Sequence, residues 1–494
     1  MLALRGLSGN PTAEVLNTKY WEDNGPFELS PERGRFALLY SIVEDKSFYF
    51  SKSIAMFATP DVGIHNGHYV SLFAPLLSFL SIPGFIMGKY LGASQVGAFA
   101  IVSIFALLNF ILLRLIAIRL GANSAAATIS SLVFLFATPA FAYAVNLYQH
   151  HISTFLVLLS IYVLLKSKRI WSLLIVFFLY ALAIPLDYPN LFFMFPIVFF
   201  SIGRIISFKS IRNRLSIKIS VFKMLTPLIM IFPLLFFLWF NNASYSNPLQ
   251  LSGTVQPAKF DADTLEAKVP LENVVDSKEE GTKRSAVAFF TTRGLLNGFY
   301  LQFVSPDRGI IYFTPVILLG IVGFLLAFKK KVAMVSLLTA IIGANVLLYA
   351  MWGDPWGGWA FGSRYLIPSY AILSIFIALL LTYFRNNIIF LIIFLILFGY
   401  SAAVNTLGAI TTSAMPPQVE VLNLEKISGM VQRYTYQRNW EFLLAGNSKS
   451  FVFQTFARNY LSSLQYYEIL AGLIIFAGLS LTTLLWISGR NKNE

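Results

Sequence analysis

Uncharged apolar runs recur along most of the chain, beginning near Val96, Ala125, Ile152, Ile170, Leu191, Met224, Ile310, Val332, Leu366, Ile388 and Leu470. A bilayer core takes about 20 apolar residues in helical form, and only helices and closed barrels satisfy every backbone group in hydrocarbon. These runs are too long and continuous for barrel strands, which alternate over about ten residues. The pattern predicts an all-α, polytopic transmembrane helical bundle of about 11–12 spans. Between the spans, short basic segments alternate with longer polar ones of mixed charge.

The basic segments hold Lys166, Lys168 and Arg169; Arg204, Lys209, Arg212, Arg214, Lys218 and Lys223; Lys329, Lys330 and Lys331; Arg385; and Arg490 and Lys492. Counting spans puts them all on one side, the cytoplasm, as the positive-inside rule requires. The segments around His150 and Asp187, and at 242–307, 352–364 and 411–467, then face outward. Parity makes the front of the chain a special case. The span from Val96 ends in Arg114 and Arg119, so it runs inward, and residues 70–88 cannot cross the membrane if the N-terminal residues are outside. Pro75 and Pro83 break helices, so 70–88 reads as an interfacial or re-entrant pair of half-helices. That leaves 1–69 outside with no span to carry it there, and a further helix upstream of Met1 is expected in preference to unaided export of the N-terminus. The alternative is that 70–88 spans and the N-terminus is cytoplasmic.

The chain thus divides into an outer first loop with juxtamembrane half-helices at 1–93 and a helical core at 94–410 with outer loops at 242–305 and 352–364. An outer amphipathic loop at 411–467 follows, then a last helix and cytoplasmic tail at 468–494. The stretch 261–284 lacks apolar periodicity and is expected to be a partly mobile loop. Trp440, Phe442, Phe451 and Phe453 among Arg433 and Arg438 suit a cap on the bilayer surface. No internal repeat is evident, which weighs against inverted-repeat transporters.

Composition agrees with lipid solvation: 57% hydrophobic and 12% charged residues, against about 25% charged in soluble proteins, with mean hydropathy +0.69. The net charge of +14 orients the chain and calls for no nucleic acid partner. The absence of Cys excludes disulfides, thiolate zinc sites and cysteine nucleophiles.

Chemistry-bearing residues gather on the outward side. Glu32 and Arg35 lie three apart, one face of a helix, where a carboxylate can deprotonate an acceptor hydroxyl while an arginine holds an anionic leaving group; a solvated salt pair is the bland reading. Asp61, His65 and His68, followed by Tyr69, form a second polar knot. Its spacing matches no recognised zinc pattern, so hydrogen bonding to substrate is favoured over a metal, and a divalent ion is left open as cofactor. His150 can face a cavity, with His151 a hydrogen bonder at a helix start. Asp187 and Tyr188 mark another outer turn. Ser305 to Gly309 places Arg308 at the same level. The loop from Trp352 to Tyr365 sets Trp356, Trp359, Arg364 and Tyr365 among four glycines, suiting a sugar and a phosphate; an aromatic belt explains the rings alone.

Four pieces carry a family resemblance: PERGRF at 31–36, HNGHYVSLFAP at 65–75, SPDRGIIYFTP at 305–315 and WGGWAFGSRYL at 356–366. Over most of residues 32–368 the chain resembles the GT-C superfamily of polytopic membrane glycosyltransferases, in particular the branch of protein O-mannosyltransferases and lipid A aminoarabinose transferase. The resemblance implies a first outer loop with two juxtamembrane helices and a polyprenyl-phosphate-sugar donor, a dolichyl phosphate among them. It also implies an acidic general base in that loop and inversion at the sugar carbon. Glu32 falls on the base's position, where the family more often has Asp, and Asp61 is the reserve. The family's basic residue near Leu72 and Phe73 is absent, so phosphate binding falls to Arg364 or Arg308, with Arg35 helping.

The expectation is an integral glycosyltransferase of the cell membrane, its active site outside, moving a sugar to a lipid, glycan or protein acceptor. The alternatives are a transporter or flippase of a lipid-linked anion and a homologue that binds lipid-linked sugar without transferring it.

Overall fold

The computed structural model of the chain describes residues 1–211, 214–260, 267–268, 290–429 and 431–490. It is a helical membrane bundle. By length and composition, five helices are long and apolar enough to cross a membrane: Ser94–Arg119, Val221–Tyr245, Arg364–Tyr383, Ile388–Ile410 and Ser463–Arg490. Seven shorter apolar helices stand among them: Leu76–Tyr90, Ser124–Phe136, His150–Lys166, Ile170–Leu182, Asn190–Ile205, Pro315–Lys329 and Val335–Ala350. Every run read from the sequence has its helix.

The bundle is built around the segment Arg364–Tyr383. Its sequence is apolar on all sides, and Ile367 to Leu381 are all buried, as expected of a helix packed on every face. Helices Ser94–Arg119, Ser124–Phe136, His150–Lys166, Leu318–Lys329 and Val335–Ala350 pack on it. Gly320 and Gly323 bring the 318–329 helix onto its backbone, where a Cβ would come within 2.7 Å of Leu373 O or 2.3 Å of Phe376 O. The outer helices instead expose large apolar side chains, among them Phe222, Phe232, Leu235 and Trp239 of Val221–Tyr245. A lipid-facing surface explains such a patch.

Contacts between helix ends give the bundle two chemically distinct ends. Arg119 and Lys166 both lie over the Tyr162 ring, Arg204 donates to the carbonyls of Ser167 and Leu164, and Lys330 sits over Tyr383. Lys223 donates to Arg204 O and Lys330 and Arg385 line one cavity with Leu120, so these basic helix ends lie together; Arg212 and Lys492 lie outside the described residues. His150, Asp187, Trp352 and Arg364 converge at the other end.

Residues 70–88 depart from expectation. The structure has a β-hairpin, β1 (Val62–His65) paired antiparallel with β2 (His68–Ser71), then one helix, Leu76–Tyr90, in place of two half-helices. Pro75 is its N-cap, where a missing N–H costs nothing. Pro83 lies inside it, and packing outweighs the lost bond: Gly84 and Gly88 face Gly97 of the next helix so closely that a Cβ on Gly84 would stand 2.3 Å from Gly97 O. Two further two-stranded hairpins, Ile206–Ile211 with Arg214–Ile219 and Lys259–Phe260 with Ala267–Lys268, also add to the all-helical expectation. The loop expected at 261–284 lies outside the described residues except for 267–268.

The segment 411–467 folds as helices Gln418–Ser428 and Gln437–Leu444, followed by a short π-helix. Asn439, on the second of these helices, donates back to Thr411 Oγ1 and the Thr412 carbonyl at the start of the segment. The N-terminal residues pack beneath it: Arg5 and Ser450 form an antiparallel bridge, and Ser450 Oγ and Tyr466 OH both donate to Leu2 O.

Candidate functional site

The helix Ser30–Tyr40 positions the site. Leu29 is its N-cap and Pro31 sits in its first turn, where proline is pre-organised for the helix. From this turn successive side chains diverge. Arg33 lines one cavity and Arg35 a second, Pro31 lines both, and Glu32, fully buried, lines neither. Glu32 and Arg35 therefore do not act as the one-face pair expected from their spacing. Arg35 donates to the Pro31 carbonyl at 3.0 Å, and Glu32 turns toward Glu28.

The smaller cavity, about 160 Å³, is lined by Pro31, Arg35, Phe73, Tyr148, Gln149, His150, Asp187, Pro189, Tyr349, Trp352, Arg364 and Tyr365. Two guanidiniums share the Tyr148 ring, Arg35 at 5.6 Å and Arg364 at 5.0 Å from its centroid. Arg35 also lies 4.6 Å from the Phe73 ring, so positive charge reaches the Leu72–Phe73 position from another element. Gly34 permits this: a Cβ there would meet the Phe73 ring at 2.5 Å. Arg364 is buried with Nε and Nη1 unpartnered. One carboxylate stands against the two cations, that of Asp187, which accepts from Gln149 Nε2 at 2.9 Å. Burial pushes the Asp187 carboxyl above its ordinary value, against the pull of that bond and both arginines. His150 stacks parallel to Tyr148 at 5.8 Å with Nε2 unpartnered, and Tyr365 stacks on Tyr349 at 4.1 Å. The cavity thus presents two cations, one acid and unspent donors, a setting for an anion.

The larger cavity, about 490 Å³, is lined by Glu28, Leu29, Ser30, Pro31, Arg33, Pro60, Asp61, Asp354, Gly357, Gly358, Trp359 and Arg364. Arg364 joins the two cavities. Asp61 accepts from Ser30 Oγ at 2.5 Å; Trp359 donates from Nε1 to Glu420 at 2.8 Å. The loop between them relies on glycine. Gly357 and Gly358 have φ of +75° and +62°, and a Cβ on Gly357 would stand 3.2 Å from Arg364 Nε.

Glu32 is fully buried. One carboxylate oxygen, Oε2, accepts from Glu28 N at 3.2 Å, and Oε1 has no partner. Its carboxyl is raised to about 7, by burial first, with Arg5 opposing and Glu28 adding. Glu28 contrasts with it. Burial pushes Glu28 up, but Arg5, Lys449 and the Ser413 N–H overcome this and hold it below its ordinary value; Arg5 Nη1 lies 2.7 Å from Oε2, as does Ser413 N. Two buried acids four residues apart thus have opposite environments.

The remaining candidates spread out. His65 and His68 sit at the hairpin tip, four or more residues from Asp61 at its base, roughly 13 Å of extended strand. His68 stacks on Tyr49, His65 packs edge-on to Tyr245, and the Tyr69 ring packs against Phe260; none lines either cavity. Among the described residues no group of three or more His, Asp or Glu is placed to hold a metal ion. His151 is structural, its Nε2–H donating to Ala140 O at 2.7 Å. Tyr188 bonds Ser252 Oγ through its hydroxyl. Arg308 makes four bonds to backbone carbonyls, those of Asp307, Trp356, Gly358 and Met415, so it holds the tryptophan loop rather than facing a cavity. Trp356 contributes its carbonyl to that hold, while Trp352 and Trp359 supply the lining rings.

The sequence reading missed Arg33, Tyr148, Gln149, Tyr349 and Asp354 as lining residues, and Arg5 and Glu28 as neighbours of Glu32. Arg33 and Asp354 lie inside motifs already singled out, and Glu28 is one helical turn from Glu32. Nothing in the local sequence marks Arg5.

No protein-family profile and no curated protein matches the chain. Among solved structures it is similar to that titled "Crystal Structure of ArnT from Cupriavidus metallidurans in the apo state", at 12% identity and a TM-score of 0.46, over 98% of this chain and 73% of that one.

Proposed function

We propose that the chain is a membrane glycosyltransferase of GT-C type, moving a sugar from a polyprenyl-phosphate donor to an acceptor hydroxyl at the acidic, outward end of the bundle. The observation that carries the reading is Arg364: buried, with two guanidinium nitrogens unspent, shared between a cavity holding a second arginine and one holding Asp61 and Trp359. The donor phosphate lies in the smaller cavity, against Arg35 and Arg364, and the sugar and acceptor extend into the larger one beside Trp359.

In the reaction a carboxylate takes the acceptor O–H proton, and the oxygen forms a bond to the anomeric carbon from the face opposite the phosphate. The carbon–oxygen bond to phosphate breaks, its electron pair leaving with the phosphate, and configuration inverts. Arg35 and Arg364 offset the charge that develops on the leaving group. Glu32 is the proton acceptor: its carboxyl, raised to about 7, is matched to proton transfer near neutral pH, and Oε1 is unspent. Asp61, at the wall of the larger cavity, orients the acceptor. A transporter reading draws no support from the placement of charge, because Glu32, Asp61, Asp187 and Asp354 gather at one end and not along a path through the bundle.

The test is transfer of radiolabelled sugar from a panel of polyprenyl- and dolichyl-phosphate sugars to endogenous acceptors, in membranes carrying the chain, its Glu32→Gln or its Asp61→Asn variant. Loss of transfer in Glu32→Gln at unchanged protein level is expected. Transfer kept there but lost in Asp61→Asn moves the base to Asp61, and no transfer from any donor by the unaltered chain refutes the enzyme reading.

A further inference from the structure

At the basic end of the bundle lies a cavity of about 460 Å³, lined by Leu120, Gly121, Leu326, Ala327, Lys330, Val332, Leu379, Thr382, Tyr383, Arg385 and Asn386. Its volume falls in the range of ligand-sized pockets, roughly 300–1,000 Å³. It opens where the helices Ser94–Arg119, Leu318–Lys329 and Ile367–Tyr383 end. The last of these continues the turn Arg364–Leu366 of the catalytic region, so the two sites are separated by roughly 30 Å of helix.

The charge around this cavity is one-sided. Lys330 and Arg385 line it, and Arg119, Lys329 and Lys331 are chain neighbours of lining residues. No acid occurs between Asp61 and Asp187, between Asp307 and Asp354, or between Asp354 and Glu420, the stretches that supply every lining residue. Among the described residues Lys330 has a ring beneath it, Tyr383 at 4.0 Å, and neither Lys330 nor Arg385 has a carboxylate partner. Three helix C-termini add partial negative charge, roughly half a unit each, which five basic side chains exceed. Leu120, Leu326, Val332 and Leu379 continue the wall as apolar surface.

We propose that this cavity binds the headgroup of an anionic phospholipid from the leaflet at the basic end, its phosphate held by Lys330 and Arg385 and the start of its acyl chains lying along the leucines. Basic pockets between membrane helices bind such headgroups, and the apolar wall favours a lipid over a free phosphate ion. The site is independent of the reading given to the catalytic region, and its test needs no transfer activity.

The full chain is placed in phosphatidylcholine nanodiscs with or without phosphatidylglycerol, and bound lipid and thermal stability are measured for the unaltered chain, for Lys330→Gln with Arg385→Gln, and for Lys168→Gln with Arg169→Gln as an exposed basic control. Phosphatidylglycerol is expected to co-purify with the unaltered chain and raise its melting temperature. Retention should weaken roughly twentyfold to thirtyfold in the Lys330/Arg385 variant and hold in the control. Arg385→Lys, which keeps the charge, should restore most of it when Lys330 is intact. Equal loss in the control would overturn the proposal in favour of general surface charge. Stabilisation by inorganic phosphate in detergent, with no preference for phosphatidylglycerol, would overturn it in favour of a soluble anion. A Lys330/Arg385 variant that is as stable as the unaltered chain in phosphatidylcholine, yet keeps its phosphatidylglycerol, would overturn it outright.

Discussion

Replacing Glu32 by Gln separates the chemistry of this residue from its effect on the fold, because the two respond to pH in opposite directions. The Glu32 carboxyl stands at about 7 in the folded chain against 4.5 ordinarily. A group raised on folding contributes stability that is fully present below its unfolded value and is lost as pH rises through the folded one. The unaltered chain should therefore lose stability between about pH 4.5 and 7, and the displacement corresponds to roughly 3 kcal/mol once Glu32 is fully ionised. Gln keeps an acceptor for the Glu28 N–H and never ionises. The expected result is a melting temperature for Glu32→Gln that exceeds that of the unaltered chain by a few degrees at pH 8, given roughly 2 cal/mol/K of unfolding entropy per residue, and a difference that shrinks to about a degree or less near pH 5. Transfer should run the other way: in the unaltered chain kcat/KM falls about tenfold per pH unit below 7 as the base is protonated, and the variant is inactive throughout. Thermal unfolding in detergent at the two pH values provides the assay. Equal pH dependence of stability in the two chains would refute the argument from buried ionisation, whatever happened to activity.

Arg364→Ala should lower kcat by about a hundredfold to a thousandfold, as loss of a preorganised donor does, and Arg364→Lys should recover little of it, since a lysine cannot reproduce a fork shared by two cavities; transfer kinetics at saturating donor decide this. Gly357→Val should reduce transfer sharply with little effect on protein level, because its Cβ would crowd Arg364 Nε at 3.2 Å from a φ of +75°; unchanged kinetics would mean that the loop does not position Arg364. Arg5→Met should destabilise the chain by about 3–5 kcal/mol by removing the cation paired directly with Glu28, which a lowered melting temperature at pH 8 would report.

The scaffold was legible because hydrocarbon imposes a length and a polarity on each helix, and all the runs from Val96 to Leu470 became helices. The fate of 70–88 was not legible, since the effect of Pro83 depended on Gly84 and Gly88 meeting Gly97, a contact between helices that no local pattern records. The site was legible as a neighbourhood more than as a mechanism. Arg35, His150, Asp187, Arg364 and Tyr365 do line one cavity and Asp61 and Trp359 the other. His65 and His68 were drawn in by proximity along the chain, which a strand stretches out and does not fold back. Arg308 reads from sequence like Arg364, and only the carbonyls around it tell them apart. Arg5 illustrates the limit: its bond to Glu28 spans 23 residues and leaves no periodic trace.

The contrast between Glu28, at the wall of the larger cavity, and the fully buried Glu32 also bears on why the chain keeps two acids so close together. Burying an ion pair is at best a weak source of stability, and apolar replacements of similar volume are often neutral or better. Glu28 nevertheless has a structural account: Arg5 and the Ser413 N–H occupy it, and through them it joins the N-terminal segment to the chain that follows Ile388–Ile410. Glu32 has no such account. It spans no gap between elements, since its bonds are to backbone groups of the same segment, three and four residues away, and Oε1 is unpaired at a cost of about 1–3 kcal/mol. That cost is offset only in part, by the pull of Arg5, and the role proposed for Glu32 as proton acceptor accounts for keeping it at a turn whose neighbours Pro31 and Arg33 line the larger cavity.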